Sequence, residues 1–183
     1  MRVLDKRVKL SRRRLLGSGG ASLMAMTILP GGAIVGAGSA WAANAQALEP
    51  TTFATLVQMS RDIYPHDRLA DGFYAKAVET FDRAAAASAD DKTLFEAGVA
   101  GLDRAARAAH GVPYAQVGWE RDRAALLESI ESEAFFQRVR ASLITGLYNN
   151  PEVWPVFGYE GESASQGGYL YRGFDDIDWL GDN

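Results

Sequence analysis

The sequence has no cysteine, and histidine occurs only at positions 66 and 110. Without cysteine the chain forms no disulfide, holds no iron–sulfur cluster and attaches no c-type haem. His66 and Asp67 have no second pair of ligands at a spacing that completes a metal site. The sequence also lacks a phosphate-binding loop, a nucleophile elbow and a dinucleotide fingerprint. We therefore expect no catalytic residue, no metal and no cofactor in this chain.

Positive charge is scarce beyond the first 42 residues. The full chain has a formal net charge of −4, but residues 1–42 hold seven of its 19 basic groups and one of its 23 acidic groups. The remainder therefore carries a formal charge of −10. Such a surface repels phosphate backbones, and we predict no nucleic-acid partner.

A dense hydrophobic run is missing from the apolar segment near the start of the chain. Residues 15–43 are diluted by seven glycines, and Pro30 interrupts them. A basic leader precedes this segment and small residues end it, which is typical of a cleavable export signal. Adjacent arginines ahead of the segment mark the twin-arginine route. We predict a signal peptide over residues 1–42, with cleavage after Ala42 or Ala47.

The basic leader resembles the twin-arginine translocation consensus. The matching residues are Ser11, Arg12, Arg13 and Leu16, and the departures are Leu15 and Gly17. We predict that the twin-arginine translocase recognises Arg12, Arg13 and Leu16. An ordinary secretory signal and a retained membrane anchor are the alternatives, although the low hydrophobicity makes a poor spanning helix. The resemblance implies that the chain crosses the membrane already folded, because of a cofactor or a bound partner.

Residues 43–150 show the periodicity of helices rather than of strands. Apolar residues recur at helical spacing in four stretches: 51–64, 73–87, 88–109 and 119–149. The last stretch is predicted as two helices with Ser132 as the cap between them. Its predicted inward residues are Leu126, Leu127, Ile130, Phe135, Phe136, Val139, Leu143, Ile144 and Leu147. We predict an all-α fold, a small bundle of four or five helices.

The composition changes at Pro151. Residues 151–183 are rich in glycine and aromatic residues, and few of them favour helix or strand. We predict a long irregular C-terminal arm, and such a segment in a compact protein is usually functional. Large aromatic residues anchor interfaces, so the predicted partner-binding residues are Tyr148, Trp154, Phe157, Tyr159, Tyr169, Tyr171 and Trp179. The alternative is that the arm folds back and covers the bundle.

Two segments resemble those of a known family. The first is Ile63-Tyr64-Pro65-His66-Asp67-Arg68-Leu69, with Phe73-Tyr74 shortly after it. The second is Leu147-Tyr148-Asn149-Asn150-Pro151-Glu152-Val153-Trp154-Pro155-Val156-Phe157-Gly158-Tyr159-Glu160-Gly161. Together with the arginine pair, these segments resemble the small (gamma) subunit of membrane-bound gluconate 2-dehydrogenase, the subunit 3 family.

The resemblance implies a non-catalytic subunit that accompanies a flavin-dependent, GMC-type sugar or sugar-acid dehydrogenase. FAD is then expected in that flavoprotein, and c-type haem in a cytochrome subunit. The chain would assist maturation and export of the flavoprotein, and we expect it in the periplasm, associated with the inner membrane through its complex. The alternative hypothesis is a free-standing periplasmic ligand-binding protein or enzyme, with a pocket formed by the His66-Asp67 loop and the aromatic tail.

Overall fold

The computed structural model describes residues 27–28, 34–35 and 45–170. The chain divides into two compact units, Met1–Ala40 and Trp41–Asn183. In the first unit, strands β1 (Thr27–Ile28) and β2 (Ile34–Val35) pair antiparallel, with Thr27 opposite Val35. Several predicted functional residues lie outside the described residues: Arg12, Arg13, Leu16, Tyr171 and Trp179.

The second unit is a helical bundle, as predicted. Within residues 45–170, the longer helices are α1 (Pro50–Ile63), α2 (Asp71–Ala87), α3 (Ala89–His110), α4 (Glu120–Ser129) and α5 (Ala134–Tyr148). A one-turn helix, α6 (Trp154–Phe157), follows, and there are 3-10 turns at Tyr114–Gln116 and Ser163–Gln166. No strand occurs between residues 45 and 170. The prediction of an all-α bundle of four or five helices is confirmed.

Local chemistry explains where these helices begin and end. Pro50 is the first residue of α1, where a missing N–H costs nothing. Ser88 ends α2 and caps α3, because its side chain accepts a hydrogen bond from the N–H of Asp91 at 3.2 Å. Gly111 ends α3 at a φ of +75°, a left-handed conformation that glycine adopts without strain. The residue at each of these helix ends therefore determines where the helix begins or stops.

Ser132 is not the cap between α4 and α5, and that prediction is wrong. The N-cap of α5 is Glu133, which makes no side-chain capping bond. The N–H of Glu133 donates to the carbonyl of Ile130 at 2.9 Å. This bond closes a turn with Ser132 inside it, which moves the helix start beyond the serine.

The core forms around α2, which packs against α1, α3 and α5. Phe81 of α2 stacks on Phe95 of α3, with ring centroids 5.4 Å apart. The buried residues of α5 recur every four positions: Phe135, Val139, Leu143 and Leu147. Ile144 was predicted to point inward, but it is 52% exposed. It follows Leu143 by about 100° around the helix, which takes it out of the buried stripe.

Helices α3 and α5 approach each other closely at Gly98. A Cβ atom at this position would overlap the ring of Phe135, which is itself buried. The contact therefore requires a residue without a side chain on α3. It also fixes the position of α5, whose last residue is Tyr148.

Candidate functional site

The first residues of the arm are folded onto the bundle. Val153 is fully buried, and the indole Nε1 of Trp154 donates to the carbonyl of Tyr148 at 2.8 Å. Helix α6 ends at Gly158, whose φ is +71°. The N–H of Tyr159 then donates back to the carbonyl of Trp154 at 3.0 Å. Residues 153–159 are thus held in a defined position beside the end of α5.

The loop after α1 lies against this part of the arm. The ring of His66 packs edge-on against Phe157, with centroids 4.9 Å apart, and against Tyr148 at 5.6 Å. His66 Nε2 and the Tyr148 hydroxyl are 2.7 Å apart and share a hydrogen bond. Tyr64 makes an edge-on contact with Tyr148 at 5.5 Å. We call the resulting cluster the aromatic patch, and its members are Tyr64, His66, Tyr148, Trp154, Phe157 and Tyr159.

Buried Tyr74 positions the loop that carries His66. Its hydroxyl donates to the carbonyl of Tyr64 at 2.7 Å and accepts the N–H of His66 at 3.2 Å. Pro65 lies between those two residues and favours an extended residue before it. Burial raises the pKa of Tyr74, and it also raises the pKa of Tyr148, with nearby Tyr64 and Tyr74 contributing. Both hydroxyls therefore keep their protons at neutral pH and remain able to donate.

The aromatic patch has a half-buried base and an exposed rim. Tyr148 and Trp154 are half-buried, whereas Phe157 is 44% exposed and Tyr159 is 49% exposed. Trp154 supports Tyr159 through an edge-on contact at 5.2 Å. Tyr169, another predicted partner-binding residue, is 69% exposed and does not belong to the patch. Two aromatic side chains are thus presented to solvent on a base that the bundle holds in place.

The structure brings together the two sequence segments that carry the family resemblance. His66 and Tyr148 are 82 positions apart in the chain, yet their side chains share a hydrogen bond. The sequence predicts His66 beside the tail only as part of a pocket, and it does not predict Tyr64 as a site residue. Asp67 is exposed. Within residues 45–170, no three histidine, aspartate or glutamate side chains converge to hold a metal ion.

Apart from the aromatic patch, a polar cluster that the sequence did not reveal joins α1 to α4. Arg123 donates two hydrogen bonds to the Asp62 carboxylate, from Nε at 2.8 Å and from Nη2 at 2.9 Å. Tyr114 donates its hydroxyl to the same carboxylate at 2.7 Å. Burial and the charge of Asp62 raise the pKa of Tyr114, and the hydrogen bond to Asp62 raises the pKa of Arg123. The side chains of the cluster are paired with one another, as expected of a structural element.

A cleft of about 300 Å³ opens between α1 and α3. Its lining residues are Thr51, Thr52, Thr55, Glu96, Val99, Ala100, Asp103, Arg104 and Arg107. Thr52 donates to Glu96 at 2.5 Å, and Asp103 accepts the N–H of Tyr114 at 3.0 Å. The cleft contains neither His66 nor any residue of the arm, so it differs from the pocket considered from the sequence.

Among the described residues, none of the helices combines the length and the apolar character needed to cross a bilayer. Comparisons with curated proteins and with solved structures gave no match. One family model, described as gluconate 2-dehydrogenase subunit 3, matches residues 50–161. The match begins with α1 and runs through every residue of the aromatic patch. The chain therefore belongs to the gluconate 2-dehydrogenase subunit 3 family.

Proposed function

We propose that this chain is a non-catalytic small subunit of a periplasmic, membrane-associated dehydrogenase complex. The family match over residues 50–161 carries the proposal, because it identifies the chain as a subunit of a multi-subunit enzyme. In the proposed complex, a GMC-type flavoprotein holds FAD and oxidises a sugar or sugar acid. A cytochrome subunit holds c-type haem and passes the electrons on. The small subunit assists maturation of the flavoprotein.

We further propose that the chain supplies the export signal for the flavoprotein. Arg12 and Arg13 head a weakly hydrophobic segment that ends in small residues, as in a twin-arginine signal. A complex assembled in the cytoplasm can then cross the membrane folded, on the signal of one subunit. The two proteins remain together in the periplasm.

The aromatic patch is the proposed contact with the flavoprotein. Exposed aromatic side chains are frequent anchors of protein interfaces. Phe157 and Tyr159 supply such anchors. Trp154 holds Tyr159 through its edge-on contact, and the ring of Tyr148 lies against Phe157 with centroids 5.9 Å apart. Because the base is already ordered, binding loses little conformational entropy there. His66 supports Phe157 in this arrangement, which gives it a positioning role.

Alanine substitutions at the exposed rim test this contact. We expect Phe157→Ala and Tyr159→Ala each to weaken association with the flavoprotein by about 1–4 kcal/mol while the chain stays folded. The measurement is the affinity of the purified chain for the flavoprotein, with circular dichroism as the check on folding. Trp119→Ala is the matched control, because Trp119 is 71% exposed but lies before α4, outside the patch. Equal affinity for the wild-type chain and both patch variants would contradict the proposed contact.

A further inference from the structure

The chain segment before α1 is held by one buried carboxylate of α2. Asp82 is 6% exposed, and it accepts hydrogen bonds from three consecutive backbone N–H groups. Oδ2 accepts from Gln46 at 2.9 Å, and Oδ1 accepts from Ala47 at 3.0 Å and from Leu48 at 2.8 Å. We call this arrangement the Asp82 clamp.

Contacts on both sides of the clamp fix the same segment. The side chain of Leu48 is 4% exposed and belongs to the core, and Ala45 and Ala47 pack against that core. One position further along, the N–H of Glu49 donates to Glu96 Oε1 at 2.7 Å. Residues 45–49 are therefore part of the folded bundle.

The charge of Asp82 strengthens the clamp at neutral pH. Burial raises the pKa of its carboxyl group, but the hydrogen bonds from Leu48, Gln46 and Ala47 together outweigh that effect, and Arg83 adds to them. The net result is a lowered pKa, so the carboxylate is ionised at neutral pH. Hydrogen bonds to an ionised acceptor are about twice as strong as those between neutral groups.

The clamp covers one of the two cleavage sites that the sequence offers. Ala45, Gln46 and Ala47 provide the small-residue pattern that a signal peptidase reads. Proteins that capture an extended peptide commonly do so through its backbone N–H and C=O groups. In the folded chain, the N–H groups of Gln46 and Ala47 are already bonded to Asp82. Cleavage after Ala47 would require this segment to leave the bundle.

We propose that the Asp82 clamp blocks signal cleavage after Ala47 and thereby restricts processing to the bond after Ala42. The proposal rests on the proposed export of an already folded chain. In the processing step, water hydrolyses the Ala42–Ala43 peptide bond, which yields a carboxylate on Ala42 and an ammonium group on Ala43. The mature chain then begins three residues before Gln46, the first clamped residue, and keeps every bond to Asp82.

The N-terminus of the periplasmic protein tests the proposal in cells. We expect mass spectrometry to find wild-type protein beginning at Ala43. Ala42→Leu removes the small residue of that site, and this variant should reach the periplasm uncleaved. Adding Asp82→Asn should open the second site and yield a product beginning at Leu48. The control adds Asp90→Asn to Ala42→Leu, because Asp90 is an exposed residue of α3. This double variant should stay uncleaved.

Purified precursor tests the clamp without relying on export or on the folding of the Asp82 variant. Purified signal peptidase should cut the Ala42→Leu precursor after Ala47 when urea unfolds it, and should leave it intact when it is folded. Cleavage of both forms after Ala47 would overturn the proposal, as would wild-type protein beginning at Leu48 in cells. Precursor confined to the cytoplasm in every strain would overturn the proposed export instead, and the purified precursor would still decide the clamp.

Discussion

Single residues far apart in the chain form the polar contacts that fix the bundle. Asp62 and Arg123 are 61 positions apart, and their side chains are only 3% and 14% exposed. Removing one partner of a buried ion pair leaves the other charge uncompensated. Arg123→Met should therefore lower the free energy of unfolding by about 3–5 kcal/mol.

Arg121→Met is the matched control for that substitution. Arg121 lies in the same helix, its side chain is 84% exposed, and it pairs only with neighbouring Asp122 at 3.3 Å. Surface ion pairs contribute about 0–1 kcal/mol, so this variant should unfold nearly as the wild type does. Urea unfolding followed by circular dichroism measures both variants. Equal stabilities of the two variants would show that the Asp62 pair contributes little.

The carboxyl group of Asp82 predicts a dependence of stability on pH. Its pKa is lowered from the ordinary value of 3.8, so the ionised form is favoured in the folded state. The stability that it contributes is present above pH 3.8 and is lost as the pH falls through the lowered folded-state pKa. Asp82→Asn should cost about 1–3 kcal/mol at pH 7, and this cost should shrink below pH 3.8. Urea unfolding at several pH values measures the difference, and a cost independent of pH would contradict the assignment.

Sequence patterns predicted single residues well only where the cause is local. The inward positions of α5, such as Val139 and Leu143, follow from helical spacing, and both are buried. The prediction that Ile144 points inward is wrong because an apolar residue beside the buried stripe looks the same in the sequence as an apolar residue within it. The pairing of Asp62 with Arg123 leaves no periodic pattern at all, since it depends on how α1 and α4 pack.

At the scale of elements, the contact between α3 and α5 depends on Gly98. An added methyl group would overlap the ring of Phe135, which is 3% exposed and has little room to move. Overpacking of this kind costs about 1–3 kcal/mol. Gly98→Ala should therefore lower the melting temperature, although alanine is the better helix former.

Gly101→Ala, one turn further along α3, provides the comparison. An added methyl group there meets only the end of the Arg104 side chain, at 3.8 Å. Without a clash, the greater helix propensity of alanine should add about 0.5–1 kcal/mol of stability. The two variants should thus shift the melting temperature in opposite directions in differential scanning calorimetry. A gain of stability in both would refute the close contact of α3 with Phe135.

The order of the helices was predictable from sequence, but the position of the arm was not. The helical spacing of apolar residues is a local signal, and it placed α1, α2 and α3 within a few residues. Few residues at the start of the arm favour helix or strand, so the sequence shows no periodic pattern there. Its docking comes from Val153 in the core and from the contact of Phe157 with His66 in the loop after α1. Both are tertiary contacts.

At the scale of the whole molecule, a folded bundle follows a proposed export signal. The bundle belongs to a subunit family of a multi-subunit dehydrogenase. The proposal adds that the flavoprotein depends on this chain to reach the periplasm. Lysine has the positive charge of arginine but not its planar guanidinium group. Replacing Arg12 and Arg13 with lysine therefore tests whether export depends on the arginines themselves or only on their charge.

The most direct test is the location of the flavoprotein in cells that produce different forms of this chain. Flavin and flavoprotein are measured in cytoplasmic and periplasmic fractions of cells with the wild-type chain, with Arg12→Lys/Arg13→Lys, or without the chain. Arg2→Lys/Arg7→Lys controls for replacing any two arginines of the leader. We predict flavin-loaded flavoprotein in the periplasm with the wild-type chain and the control, and flavoprotein confined to the cytoplasm in the other two strains. Flavin-loaded flavoprotein in the periplasm of cells that lack the chain would contradict the central claim.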